Sequence, residues 1–254
     1  MFNSFLPDTL FVGHKIIYLP TCHSTNDFAL NILAKEDVPE GTIVITDNQM
    51  AGKGQRGNKW ETEPGKNLTL SLVLNPCFLA MDAQFSLNIF TSLAVYETLT
   101  HFSDKKVSIK WPNDIYCDNK KICGILIQNI IKGTRFSRSI VGIGLNINQI
   151  DFEEKKATSL ALLEDCVFDR LSVFSVLLRK LEFFYLQLKN AEYTSLKSRY
   201  LSVLYRLNEE HLFQDQNTTK FKGIIREVEN SGKIVLEVNG KFRSFYFKEL
   251  SFIF

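Results

Sequence analysis

A chain of 254 residues with 45% hydrophobic and 23% charged residues has room for one domain of catalytic size plus a small appendage, and it can bury an ordinary globular core. Its formal net charge of +2 excludes a whole-molecule field for nucleic acid or an anionic membrane, so positive charge for an anionic ligand has to be gathered locally. The five cysteines, Cys22, Cys77, Cys117, Cys123 and Cys166, form no C-x-x-C pair; they support neither a zinc site nor a thioredoxin-type motif and read as free thiols in a reducing compartment.

The first residues carry no basic leader or small-residue cleavage site, and no apolar run reaches the roughly 18 residues of a membrane span. The expectation is a cytoplasmic protein. Thr21 to Asn26 reads as a turn feeding a helix in which Phe28, Ile32 and Leu33 recur at helical spacing, with Ser24 or Thr25 as the cap. Gly41 to Thr46 is an apolar, β-branched strand. A polar, glycine-rich stretch from Gly52 to Lys66 follows, and Asn67 to Leu74 then alternates as a half-buried strand should.

Phe85, Ile89, Leu93 and Tyr96 mark a second helix; Val107–Lys110, Ile122–Ile131 and Ser137–Ile147 read as strands. Two helices come next, the first through Phe174, Leu177, Leu181 and Leu188, the second through Leu196, Tyr200, Val203 and Leu207. Strands interrupted by helices at uneven intervals predict an α+β fold with a mixed sheet. From about residue 210 the texture becomes short strands punctuated by Ser231-Gly232 and Asn239-Gly240, both good hairpin turns. The expected division is a catalytic unit over 1–208 and a small β-barrel-like unit over 209–254.

The stretch from Gly52 to Gly57 satisfies G-x-G-x-x-G, but Pro64 and Gly65 interrupt the helix that a dinucleotide fold needs next, and the acidic residue expected about 20 positions on is missing. No H-R-D or D-F-G element supports a kinase, and no Walker A loop is present. What remains is a loop whose amides can approach an anion, with Lys53, Arg56 and Lys59 beside it and Trp60 offering an aromatic face. The histidines, His14, His23, His101 and His211, read as structural or solvated.

Four segments stand in order: Ser24-Thr25-Asn26; Gln49 with the loop to Trp60; Lys110-Trp111-Pro112-Asn113-Asp114 followed by Lys121-Ile122-Cys123-Gly124-Ile125-Leu126; and Gly142-Ile143-Gly144-Leu145-Asn146. Singly they are a helix cap, a surface loop, a turn and a close-packed strand. Together they resemble the biotin–protein ligase family, closely over roughly residues 15–150 and more loosely to the C-terminus. Two loop positions depart from that family's pattern: its first arginine is Lys53 here and its second is Gln55. Lysine keeps the charge and loses the bidentate fork; glutamine loses the charge.

The resemblance implies a class II aminoacyl-tRNA synthetase-like catalytic fold with an SH3-like C-terminal β-barrel. It also implies a two-step reaction: ATP, with Mg²⁺, activates biotin to biotinoyl-5′-AMP, which then acylates a lysine of a biotin carboxyl carrier protein. By resemblance, Ser24, Thr25, Asn26 and Gln49 line the biotin end, with Gly52, Lys53, Gly54, Gln55, Lys121 and Gly124 completing it. Lys121 lies nearest the reacting phosphate, assisted by Lys53 and Arg56. Asn113, Asp114 and Asn146 contact the nucleotide, Trp60 covers the adenine, and residues 52–60 close over the adenylate. No metal-ligating side chain and no nucleic-acid partner is expected, since the chain begins almost at the catalytic segment. The family's oligomeric states, monomer and dimer, both stay open. A lipoate–protein ligase shares this broad architecture and chemistry; the complete Lys110–Asp114 segment and the Gly52–Trp60 loop favour biotin. A non-catalytic biotin sensor is disfavoured by the intact Lys121.

Overall fold

The protein is described by a computed structural model over residues 2, 5–54 and 59–253. It is built on a seven-stranded mixed sheet ordered β1-β2-β3-β7-β6-β5-β4. Its strands are β1 (Ile16–Cys22), β2 (Ile43–Gln49), β3 (Leu68–Leu74), β4 (Val107–Lys110), β5 (Asp114–Cys117), β6 (Lys120–Lys132) and β7 (Arg135–Leu145). β1 and β2 run parallel, joined through α1 (Thr25–Leu33), and the other pairs are antiparallel. The expected mixed α+β sheet is therefore present.

β3 is buried along its whole length rather than half-buried. Leu68, Leu70, Leu72 and Leu74 enter the main core with α2 (Ser86–Phe102) and α4 (Arg170–Lys189), while Val73 joins Val44, Ile140 and Ala29 under α1. Period-two alternation puts Thr69 and Ser71 on the α1 face as well. That face is covered, so its polar residues need partners inside the protein. α2 carries ten buried residues around its circumference, as a helix enclosed on all sides should.

Three elements escape the sequence pattern. β1 is a half-exposed strand at the edge of the sheet, β5 is a four-residue strand between the turn of the Lys110–Asp114 segment and β6, and α3 (Leu160–Glu164) is a single turn capped by Ser159. The second of the C-terminal helices, α5 (Tyr193–Ser202), ends before Val203. The chain beyond it pairs beside β4, with Ile109 N donating to Val203 O at 2.9 Å and Tyr205 N to Ile109 O at 2.8 Å.

A second, antiparallel sheet follows, ordered β11-β10-β9-β8-β12: β8 (Glu210–Asp215), β9 (Lys220–Val228), β10 (Ile234–Val238), β11 (Lys241–Phe245) and β12 (Leu250–Phe252). Ser231-Gly232 and Asn239-Gly240 occupy its hairpins, with positive φ at Gly232, Asn239 and Gly240. No pairing of β11 with β12 closes it among the described residues, so the expected barrel is present as a five-stranded sheet. One continuous core spans both sheets. Trp111 Nε1 donates to Gly232 O at 2.9 Å across the seam, and Gly232 lies so close to the Phe85 ring that an added Cβ would be 2.6 Å from Cδ2. No helix of the described residues is long and apolar enough to cross a membrane.

Candidate functional site

On the α1 side of the seven-stranded sheet, a cavity of about 360 Å³ runs from the N-terminus of α1 to the seam with β12. Its floor is glycine-rich for a geometric reason. Gly142 and Gly144 of β7 pair with Ser71 and Thr69 on one side and with Leu126 and Gly124 of β6 on the other. With no Cβ there, groups from the loops lie directly on the backbone. A Cβ at Gly142 would meet Asn26 Cγ at 3.0 Å; one at Gly124 would meet Trp60 Cζ3 at 2.9 Å; one at Gly144 would meet Trp60 Nε1 at 2.5 Å.

One end of the cavity is polar and uncharged. Ser24 caps α1, its hydroxyl oxygen accepting from Asp27 N at 3.3 Å, which leaves the hydroxyl proton to donate elsewhere. Gln49, at the end of β2, accepts from Thr25 N at 2.9 Å through Oε1, leaving its NH₂ as a donor. Asn26 donates to Gln128 Oε1 at 2.9 Å and Leu126 O at 3.2 Å. The Ser71 hydroxyl lies 2.6 Å from Asn26 Oδ1 and 2.8 Å from Thr25 Oγ1. A single hydroxyl proton serves one of these, and the Thr25 hydroxyl supplies the other. Ser24, Thr25 and Asn26 are buried, and Ser71, which the sequence reading passed over as one polar residue in an alternating strand, anchors two of them.

The other end is positive. Among the described residues, four lysines, Lys53, Lys59, Lys110 and Lys121, line the cavity with one aspartate, Asp114. Lys121 Nζ forms an ion pair with Asp114 Oδ1 at 2.7 Å and stands 5.5 Å from the Trp60 ring. Its backbone is fixed on the side away from β5: Lys121 N donates to Lys156 O at 2.7 Å, and Thr158 N to Lys121 O at 2.9 Å. Lys53 pairs with Asp27 at 2.6 Å on the exposed side of α1. Lys110 was read only as part of a motif. It is held between aromatic rings, its Nζ 5.0 Å from the centroids of both Tyr116 and Phe252. Burial pulls the Lys110 ammonium below the usual lysine range; Asp114 resists, and the charges of Lys121, Arg206 and Lys156 add to the depression.

The glycine-rich loop leaves the sheet and returns to it. Trp60 N donates to Gly52 O at 2.9 Å, and Lys53 and Lys59 form an antiparallel bridge. Gln55 and Arg56 lie outside the described residues. Trp60 lies over Gly124 and Gly144 with its Nε1 buried and without a partner among the described residues. Beyond it, Glu63 N and Asn67 Nδ2 donate to Gln149 Oε1 at 3.0 and 2.6 Å, tying the returning chain to the end of β7.

Most of the sequence-predicted residues are thus brought to one cavity: Ser24, Thr25, Asn26, Gln49, Lys53, Gly54, Trp60, Asn113, Asp114, Lys121 and Gly124 all line it. Asn113 is locked to β6, donating through Nδ2 to Ile125 O and accepting from Ile125 N at its own carbonyl. Gly52 and Asn146 stand behind the lining. Asn146 is buried, donates to Thr158 O at 2.9 Å and retains an unpaired Oδ1 among the described residues. Gly142, Gly144, Ser71, Lys110 and Phe252 join the site from outside the expected set.

Residues 18–146 match the model of the Biotin/lipoate A/B protein ligase family. The chain is 30% identical over 240 residues to the bifunctional ligase/repressor BirA of Bacillus subtilis (strain 168), covering 92% of this chain and 73% of that one. It is 29% identical over 225 residues to the biotin–[acetyl-CoA-carboxylase] ligase of Mycobacterium tuberculosis, covering 86% and 81%. Among solved structures, the biotin protein ligase from Aquifex aeolicus in complex with biotin and ATP superimposes with a TM-score of 0.78 at 27% identity, covering 94% of this chain and 98% of that one. The family match over half of the chain and the 30% identity across 92% of it establish that the chain belongs to the Biotin/lipoate A/B protein ligase family.

Proposed function

We infer that this chain is a biotin–protein ligase, which uses ATP to convert biotin to biotinoyl-5′-AMP and transfers the biotinoyl group to a lysine of a biotin carboxyl carrier protein. The observation that carries the reading is the division of one cavity into an uncharged polar end at Ser24, Thr25, Asn26 and Gln49 and a cationic end at Lys121 and Lys110. Biotin has the same two parts: a polar but neutral bicyclic ring, and a carboxylate that must meet a triphosphate.

At the neutral end, the Ser24 hydroxyl and the Gln49 amide supply donors, and Thr25 and Asn26 are pre-oriented by Ser71. Leaving one such buried group unpaired costs about 1–3 kcal/mol, so a ring that satisfies them is selected over one that does not. Gly124 is assigned to the slot for the thioether ring, and Trp60, which packs on Gly124 and Gly144, to the adenine. Lys53 and Gly54 close this end; Gly52 supports them from behind, and Gln55 belongs to the same loop.

At the cationic end, the carboxylate oxygen attacks the α-phosphorus and pyrophosphate departs. Two unit charges at 4 Å repel by about 4 kcal/mol at an effective dielectric near 20. Lys121, with Lys53 and Arg56, offsets that repulsion as the oxygens converge. Asn113 and Asp114 are assigned to the nucleotide, with Asn146 supporting the strand end behind them. In the second step the acceptor amine attacks the biotinoyl carbonyl, the C–O bond to AMP breaks, an amide forms, and the amine gives up its proton. No side-chain nucleophile is needed, because ATP has made the carbonyl reactive.

No group of three or more His, Cys, Asp or Glu among the described residues could cage a metal. A single carboxylate, Asp114, suits a Mg²⁺ that arrives on the nucleotide and keeps its waters; bound there, the ion would neutralise phosphate charge. The strand-rich unit over 209–254 is assigned as an SH3-like barrel that completes the site of the 1–208 unit through Phe252. The reading also takes the protein to act in the cytoplasm without a nucleic-acid partner, as a monomer or homodimer. Biotin-dependent exchange of pyrophosphate into ATP tests the reading: exchange with biotin and none with lipoate is expected, and the opposite preference would overturn it.

A further inference from the structure

The directions of the hydrogen bonds at the neutral end follow from one fixed member. Leu126 pairs with Gly142 in the sheet, and its main-chain carbonyl can only accept. The Asn26 atom 3.2 Å from that oxygen is therefore the NH₂, which also reaches Gln128 Oε1 at 2.9 Å. Turning the amide over would set two oxygens against each other. Asn26 Oδ1 is left facing the Ser71 hydroxyl at 2.6 Å; it carries no proton, so Ser71 donates. The Ser71 oxygen, its own proton committed, can only accept from Thr25 Oγ1 at 2.8 Å. The Thr25 hydroxyl proton thus points away from the cavity.

Thr25 consequently shows the cavity lone pairs and no proton. A second acceptor for its hydroxyl, Gln49 Oε1, lies farther off at 3.4 Å and already takes Thr25 N–H at 2.9 Å. That backbone bond orients Gln49 as well, turning its oxygen to α1 and leaving its NH₂ to donate. Ser24, whose oxygen accepts from Asp27 N at 3.3 Å, keeps its proton for a ligand. Ser24, Thr25 and Gln49 all line the cavity, so the neutral end offers two donors and one acceptor in set places. Ser71 and Asn26 are buried, shut off from the water that would let these protons turn over.

Resting on the ligase reading, we propose that Ser71 and Asn26 are positioning residues that make Thr25 a strict acceptor, so that the site selects its ring by an N–H group at that point. A cyclic urea meets all three groups: its carbonyl takes the donors, and one ring N–H gives to Thr25. A ring with no N–H, such as a dithiolane, leaves the buried Thr25 oxygen unpaired, and a ring oxygen at that point sets lone pair against lone pair. The selectivity starts at the Leu126 carbonyl and reaches the ligand through Asn26, Ser71 and Thr25. Neither Asn26 nor Ser71 has to touch the ring.

The test titrates the full chain, without ATP, with biotin and with two cyclic carbamate analogues, each carrying oxygen in place of one ring N–H. In the wild type at least one carbamate should bind about 20-fold or more weakly than biotin. Thr25→Val, which keeps the shape and removes the acceptor, should bring that ratio to within about threefold. Ser71→Ala releases the Thr25 proton to turn toward a ring oxygen, and should cut the ratio by about fivefold or more. A general loosening of the pocket cancels, because the ligands share one shape. Thr25→Ser should keep the wild-type ratio. If Ser71→Ala does not fold, Ser71→Cys, of similar size with a weaker donor and acceptor, carries the same expectation. Equal wild-type affinity for biotin and both carbamates would overturn the assignment, as would a ratio that survives Thr25→Val or the Ser71 variant. A wild-type chain that binds none of the three would instead sink the ligase reading. Hydroxyl-proton NMR of the unliganded chain would then still decide the relay: slow exchange is expected of the Ser71 and Thr25 protons, and rapid exchange of either would overturn it.

Discussion

A single methyl group at Gly144 should perturb the site while sparing the fold. The Cβ of Gly144→Ala would stand 2.5 Å from Trp60 Nε1 and 2.7 Å from Cζ2, whereas ordinary contacts run from 3.4 to 4 Å. The indole must therefore retreat by roughly 1 Å, and overpacking of this kind costs about 1–3 kcal/mol. Gly144 sits between Thr69 and Gly124 in the middle of three paired strands, so the sheet resists and the loop end carrying Trp60 yields. Thermal stability should change by less than about 1 kcal/mol, while biotin binding should weaken by about 5- to 150-fold, the equivalent of the strain. Tryptophan emission reads the displacement directly. The chain has two tryptophans, and the other, Trp111, is buried with its Nε1 bonded to Gly232 O, so it serves as a constant reference. Wild-type emission together with wild-type biotin affinity would refute the packing of Trp60 on Gly144. A loss of several kcal/mol in stability with an unchanged spectrum would show that the strain entered the sheet instead.

Lys121→Ala should abolish adenylate formation, by about three powers of ten from the Coulomb energy at the phosphate, and leave biotin binding largely intact; single-turnover ATP consumption and calorimetry separate the two. Ser71→Ala removes the donor to Asn26 Oδ1 and should lower both stability and biotin affinity, sharing about 1–3 kcal/mol between them; a change in neither would show that Asn26 is held by Gln128 and Leu126 alone. Asp47 tests the electrostatics at the far end of β2. Burial pushes its carboxyl up, but hydrogen bonds from Tyr18 at 2.6 Å and Arg170 at 2.8 Å outweigh burial and hold it below the usual carboxylate range. A depressed folded-state value means that this stabilisation is complete above the unfolded value of about 3.9 and is lost as pH falls through the folded one. Urea midpoints should drop on the acid side, and Asp47→Asn should flatten that limb while lowering stability at neutral pH.

Much of the site could be read along the chain because its local chemistry is local in sequence. Ser24 caps the helix it precedes, the Lys110–Asp114 and Lys121–Leu126 segments fall on neighbouring strands, and the spacing of Gly142 and Gly144 puts both on one face. What stayed hidden depends on which distant element covers a face. Alternation in Leu68–Leu74 announces one apolar face and one polar face, and solvent is the simplest cover for the latter. Only the tertiary fold shows α1 lying there, turning Ser71 from a surface residue into the anchor of Thr25 and Asn26. Lys110 was hidden for the same reason, since Phe252 reaches it from far along the chain. Glu182, deep in α4, accepts three backbone N–H bonds from Leu10, Phe11 and Val12, a long-range cap that no pattern in either segment announces.

The central claim is that the neutral and cationic ends of the cavity join one biotin to one lysine through an adenylate. Intact-mass spectrometry of a biotin carboxyl carrier domain, incubated with this chain, biotin and ATP, tests it most directly. The account predicts a single added biotinoyl group on one lysine, absent when ATP is omitted and absent with Lys121→Ala. An unmodified acceptor with the wild-type chain, or equal labelling without ATP, would contradict it.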